Sequence, residues 1–405
     1  MLRQRRHDAG AVKEILDESE KDIMSARLGR GRLLGTVLVC TTALALAACS
    51  SSSSSSTPKT SSSSGGSTFP AATAANTKYE QRPTSIGITT PVGKTIPKGK
   101  VIDFIQCGVP ACVDEGDILE SATNLLGWKL VRINAGTSPQ QIADAYQQAV
   151  ANKPDAVIGS GFPRALFNSE VTSLSSMHIP VLEAFVGDST GDGLTGVVGG
   201  PVNNSIQGKE VADYILANTT SKSATIGAVV PSGFPNMVQE DSAFDAEIAK
   251  QCPSCTVKLL TVPVTSIGTD LTTRISSFLT ANPNISYLWD GYDDMVTGLP
   301  TALKGSGITS VKVATISMNG TVAADISQND YVTTAIGTSF PEVYWREIDL
   351  LARYFTGVSY SVDLNDATLP FWTITSSDVP SDASSVTFAN VVSYKAQFEK
   401  LWGLG

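Results

Sequence analysis

Short apolar runs alternate along most of this chain with longer stretches whose apolar residues recur every three to four positions. Residues 101–105 read as a strand, and residues 117–126 carry helical spacing through Ile118, Ala122, Leu125 and Leu126. A strand follows at 129–133. The pattern then predicts a helix over 139–151, with Ser138 as its cap and Ile142, Ala145 and Ala149 on one face. Strands at 155–159 and 180–183 flank a helix at about 164–177. The rhythm resumes with strands at 225–230, 256–262 and 285–289 and helices at 237–250, 271–280 and 295–305. Segments 312–316, 322–326 and 332–336 continue it, and a helix closes it at 341–355. Strands of about five residues alternating with helices predict an α/β fold whose parallel sheets are covered on both faces. Roughly ten such units exceed one ordinary open sheet, so two similar lobes are expected, with a closed eight-fold barrel as the alternative.

In an open parallel sheet, ligands bind beyond the carboxyl ends of the strands. Those ends carry Gln106, Phe162, Glu183, Phe185, Phe234, Asp290, Tyr292, Asn319 and Thr338, set among glycines, serines and prolines. Glycine admits close approach, an aromatic ring offers a flat face, and an amide, hydroxyl or carboxylate offers a hydrogen bond. Trp289 suits either a core or a ligand platform. Asp293 and Asp294 read as acids at a helix start.

The first fifty residues change the picture of where the chain resides. Residues 33–48 carry no charge and follow Arg27, Arg30 and Arg32. That run is shorter than the roughly 20 residues of a membrane-spanning helix and fits the apolar region of a signal peptide. The phrase Leu46-Ala47-Ala48-Cys49 resembles the bacterial lipobox, in which the cysteine takes a diacylglycerol and becomes the mature N-terminus. Residues 1–23 are polar and helix-prone, and a start at Met24 would give a leader of ordinary length. The chain after Cys49 dissolves into Ser, Thr, Gly, Ala and Pro, the composition of a flexible tether. The expected organisation is therefore a signal peptide at 1–48, a lipid-anchored tether at 49–97 and a folded body beyond. Such a protein is exported and held on the outer face of the cell membrane.

Of 29 basic and 38 acidic residues, 21 and 32 lie beyond residue 48, leaving the body at −11 with no basic stripe. That balance argues against a nucleic-acid partner. With two histidines in the whole chain, a multi-histidine metal site is excluded, and a histidine-based triad would depend on His178. We expect no cofactor and no metal. Asp188 to Gly193 lacks the acids of a calcium loop and reads as a surface turn.

Four body cysteines fall in two close pairs. In an exported protein they predict disulfides Cys107–Cys112 and Cys252–Cys255, with a C-x-x-C redox pair or a four-cysteine zinc site as alternatives.

The phrases TSPQQIADAYQQAVANKPDAVIGSG, IPVLEAF, NNSIQGKEVADYIL, TANPNISYLWDGYDDMVTGLPTALKGSG and VKVATISMNG resemble the type I periplasmic binding proteins, the ribose-binding proteins among them. These are substrate receptors of ABC importers, and the resemblance runs from about Lys100 to the C-terminus. It implies two Rossmann-like lobes joined by three crossing segments, a monomer that closes on a small ligand, and an ABC permease as partner. It places one lobe at 98–201 plus about 340–385 and the other at 202–339 plus about 386–405. Crossings fall near Gly200-Pro201 and Ser339-Phe340. The family's polar positions map to Gln106, Glu183, Glu240, Tyr292, Asn319 and Thr338 or Ser339. Where sugar binders place arginine and aspartate, this chain has carboxylate, phenol and amide. The resemblance thus implies a sugar or polyol ligand, with an aromatic or amine as the alternative. A sensory receptor and a secreted hydrolase are competing functions, and the hydrolase lacks any H-E-x-x-H or phosphate-loop motif.

Overall fold

The structure, a computed structural model, describes residues 67–108, 110–359, 369–379 and 389–405. The signal sequence, Met24, Cys49 and the serine run lie outside the described residues. So do parts of the C-terminal lobe assignments, 360–368 and 380–388.

Two sheets carry the fold. The first has five parallel strands in the order β2-β1-β3-β4-β5, namely Lys129–Gly136, Val101–Cys107, Ala156–Gly159, Val181–Ala184 and Gly196–Val198. Its strands pair in register, Ile102 with Leu130 and Ala156, and Leu182 with Gly196. Helices Pro110–Leu125 (α2) and Phe340–Thr356 (α11) cover one face through Leu119, Tyr344, Trp345 and Ile348. Helices Pro139–Asn152 (α3) and Asn168–Ser176 (α4) cover the other through Ile142, Tyr146, Val171 and Leu174. Ser138 and Gln141 form the capping box that starts α3.

The second sheet runs β11-β10-β9-β8-β6-β7: Trp372–Ile374, Val332–Gly337, Lys312–Ile316, Ile285–Tyr292, Thr225–Ser232 and Thr256–Pro263. All pairs are parallel except β10 with β11. Pro201–Ala217 (α5) and Pro235–Gln251 (α6) pack on one face, around Phe244 and Trp289. Leu271–Ala281 (α7), Asp293–Val296 (α8), Leu299–Gly305 (α9) and Gly320–Gln328 (α10) pack on the other. The helix expected over 295–305 is split in two because Gly298 adopts φ 79° and Pro300 follows at the second turn's start. The open two-sheet arrangement excludes the closed barrel.

Helices α5 and α6 approach closely at Gly208. A Cβ there would overlap the carbonyl oxygen of Glu240 and meet the Ala243 side chain. Gly208→Val will therefore cost about 3 kcal/mol or more, read as a drop in the denaturation midpoint, whereas Lys209→Ala, on the exposed side, will change it little.

The chain crosses between the lobes at Gly199–Pro201 and at Thr338–Phe340, near the two expected points, and again at Phe371–Trp372. Two further passages correct the expected boundaries. The C-terminal helix Tyr394–Trp402 (α12) packs Phe398, Leu401 and Trp402 against Trp345 in the first lobe, not the second. Strand β11, expected in the first lobe, extends the second sheet. The tether boundary at 97 moves as well. Pro70–Asn76 (α1) lies on α5 with Phe69 and Ala72 buried, and Ile86, Val92 and Ile96 belong to the first lobe's core.

Candidate functional site

The carboxyl ends of both sheets meet the crossing segments, and a cavity lies there. Its enclosed space is about 20 Å³, room for about one water, within an open-mouthed recess of about 390 Å³ that includes solvent. Asp293, Ser317, Met318, Gly337, Thr338 and Ser339 line it from the second lobe's strand ends; Phe340, Trp372 and Asn390 complete the wall. Each is placed by local chemistry. Gly337 has φ 125°, a conformation only glycine adopts without strain, and it turns the chain out of β10. Ser317 is held at φ 61° after β9. Asn390 fastens the crossings together, donating through Nδ2 to the carbonyls of Gly337 and Pro370, both at 2.9 Å, while its own N–H donates to Ser339 Oγ at 3.2 Å. Ser339 Oγ–H donates to Glu342, which also accepts the Val391 N–H at 2.6 Å. Burial pushes the Glu342 carboxyl up to about 8.

Several buried polar atoms near these strand ends have no hydrogen-bond partner within the protein: Thr338 Oγ1, Gln106 Oε1 and both carboxylate oxygens of Asp290. Buried polar groups are normally satisfied, so such atoms call for water or ligand. Asp290 is fully buried and its carboxyl is pushed up to about 8 by desolvation alone. Asp293 is half-buried, and enclosure by surrounding protein, with the Asp294 charge adding, pushes it up to about 8 as well.

The structure places the remaining predicted residues as follows. Phe234 and Tyr292 meet edge to face at 6.3 Å at adjacent strand ends of the second lobe, both half-buried. Phe185, at φ 53°, packs on Phe340 at 5.4 Å and on Tyr344 at 6.2 Å, joining the first lobe to the crossing. Asn319 caps α10, accepting the Val322 N–H at 3.0 Å. Phe162 is buried edge-on against Tyr146. Trp289 is core, stacked obliquely on Phe244.

Two expected hydroxyl acceptors take other roles. Glu183 is fully buried and accepts from the Tyr146 hydroxyl and from the Phe162 N–H at 3.1 Å, so it shapes the loop after β3. Glu240 sits between α5 and α6, where it accepts from Gln207 Nε2 at 3.2 Å, and it does not line the cavity. Burial pushes both carboxyls up to about 8. Asp293, Trp372 and Asn390 were missed as cavity residues. Asp293 stands directly after the predicted strand end at Tyr292, a position that signals exposure to the cleft, whereas Asn390 has no local signal.

The lobes also touch directly. Gln239 Nε2 donates to the Gly187 carbonyl at 2.7 Å and Asn204 Nδ2 to the Val186 carbonyl at 3.1 Å, so the loop after β4 is fastened to α5 and α6. Both cysteine pairs are bonded as expected, Cys107–Cys112 with Cα atoms 5.5 Å apart and Cys252–Cys255 at 5.3 Å. Among the described residues no group of three His, Cys, Asp or Glu is placed to hold a metal ion.

Solved structures with this architecture are numerous. An ABC transporter solute-binding protein from Mycobacterium smegmatis, with bound glycerol, superposes with TM-score 0.62 at 17% identity over 72% of this chain and 99% of its own. One from Agrobacterium vitis, bound with α-D-tagatopyranose, gives TM-score 0.60 at 18% identity, covering 72% and 99%. A periplasmic ribose ABC transporter protein from Conexibacter woesei gives 0.58 at 18%, covering 71% and 95%. The chain has the two-lobed fold of the type I periplasmic binding proteins. The sequence matches no protein-family model and no curated protein.

Proposed function

We propose that this protein is an extracytoplasmic solute-binding lipoprotein of an ABC importer, taking a small sugar or polyol between its lobes. The observation that carries the reading is the cavity at the strand ends, where Thr338 Oγ1 is buried with no partner among the described residues in a wall that Phe340 and Trp372 also line. Apolar faces with a few convergent polar atoms suit a ring or chain of hydroxyl-bearing carbons. A neighbouring fold holds glycerol and another tagatopyranose, which supports a polyol-like ligand. Cys49, lipidated after removal of residues 1–48, anchors the body outside the membrane and delivers cargo to a permease.

Function follows from closure. A ligand that touches both lobes only when they meet shifts the open–closed equilibrium by its differential affinity for the closed form. A thermal-shift screen of sugars and polyols tests the reading, since a ligand bound only by the native state raises the melting temperature. A shift of several degrees by at least one compound is expected, and Phe340→Ala should weaken that compound's affinity about tenfold by removing an aromatic wall. Turnover of chromogenic glycosides would overturn the receptor reading.

A further inference from the structure

The cavity is acidic and has no cationic counterpart. Its charged lining residue is Asp293, and none of the lining side chains is basic. The Arg82 guanidinium stacks 5.0 Å from the Trp372 ring and donates to the carbonyls of Ala389 and Asn390 at 2.7 and 2.8 Å, outside the lining. Asp290 lies three residues before Asp293 in the same strand end. Strand alternation puts its side chain on the face of Leu288, the face that Met295 and Met318 cover, and Met318 lines the cavity. Both Asp290 oxygens are buried without partner, as is Thr338 Oγ1 in the cavity wall itself.

We infer that the ligand is a sugar or polyol carrying a protonated amine, with Asp293 as its counter-charge, Asp290 as a second acid beneath it and Thr338 Oγ1 as a hydrogen-bond acceptor. The inference rests on the solute-binding reading above and names the class of solute. A buried carboxylate needs a pairing charge or a proton. Carboxylates that bind neutral sugars are commonly balanced by arginine, and this cavity supplies none. Desolvation holds both acids up at about 8, Asp293 in the cavity wall and Asp290 outside the lining, and an ammonium beside Asp293 would reverse that cost by favouring the ionised form. The rings of Phe340 and Trp372 add faces on which a cation or an adjoining C–H surface can rest.

The alternative chemistry is that the acids stay protonated and donate to hydroxyls. Calorimetric titration of the purified protein with matched sets separates the two. Each set holds an aminosugar or amino-alditol (glucosamine, galactosamine, 1-amino-1-deoxysorbitol), its hydroxyl parent and its N-acetyl derivative. The amine of at least one set is expected to bind tenfold or more tighter than both neutral members. In Asp293→Asn, a half-buried position that tolerates the isosteric amide, that preference should fall to within about threefold, and Asp290→Asn should act in the same direction. A parent or N-acetyl member that binds as tightly as the amine overturns the amine assignment and leaves the solute-binding reading standing. Binding by no member of any set, with the protein folded by its melting transition, overturns both.

Discussion

Raising the pH from 5.5 to 8.5 will lower the melting temperature of this protein by about 5–10 °C, the combined effect of several buried acids. Glu115, Glu183, Glu240, Asp290 and Glu342 are each pushed up to about 8 by burial, and Glu347 is held well above the ordinary carboxyl range by burial and by the neighbouring Glu183 and Glu115. Their partners are mostly neutral: Tyr344 and Ser160 for Glu115, Tyr146 for Glu183 and Gln207 for Glu240. A group whose folded value is raised binds its proton more tightly in the native state. Its contribution is complete below its unfolded value near 4.5 and drains away as the pH climbs to the folded value near 8. A few acids titrate the other way. Burial alone would raise Asp155, but Lys100 and the Val101 N–H hold it below the usual range. Arg274 does the same for Asp270. These lose their contribution only as pH falls below about 4, so maximal stability lies near pH 4–5. Calorimetry at constant ionic strength reads the profile. A melting temperature that stays level or rises between pH 6 and 8.5 would refute the assignment, and Glu347→Gln should flatten the slope.

The same acids show where the sequence was legible. The strands were readable because short Val-, Ile- and Leu-bearing runs alternate with helical spacing, and nine of them reappear within two residues of their expected starts. The strand ends followed from topology: Phe234, Tyr292 and Thr338 all stand at them, and of the three Thr338 lines the cavity. Glu183 and Glu240 obeyed the same positional logic yet face inward. What decides their roles is Tyr146 arriving from α3 and Gly208 letting α5 press on α6, contacts that no spacing rule encodes. Helix α12 has an amphipathic pattern that fits either lobe; the ring of Trp345, stacked 5.4 Å from Trp402, chooses the first. Strand β5 was too short to register, with three residues.

A chain beginning at Lys98, where composition places the end of the tether, will not fold, whereas one beginning at Ser67 will melt like the full chain. Residues 67–97 look like linker because they are rich in Thr, Ala and Pro and show no period. Their backbone is instead held by donors from distant parts of the sequence. Arg353 Nη2 donates to the Thr90 carbonyl at 2.7 Å, Trp128 Nε1 to Pro97 at 2.7 Å and Gln397 Nε2 to Thr84 at 2.8 Å, while Arg346 donates to Ile86. The Val92 N–H donates to the Leu401 carbonyl at 2.8 Å, and the Tyr79 carbonyl accepts the Thr373 N–H at 2.7 Å. Removing the segment strips Ile86, fully buried, and Val92 from the core, at about 1.5–3 kcal/mol each. It also takes one acceptor each from the guanidinium groups of Arg346 and Arg353, Arg353 keeping its ion pair with Asp349, and each lost bond to a charged group costs about 1.5–3 kcal/mol. The total, roughly 6–12 kcal/mol, falls within the 5–15 kcal/mol that stabilises a typical domain. Circular dichroism and gel filtration of the two chains decide the matter: a cooperative melting transition in the Lys98 chain would mean that the segment only decorates the first lobe. A loss confined to that chain would make residues 69–97 part of the body, leaving about twenty residues between Cys49 and the body rather than about fifty.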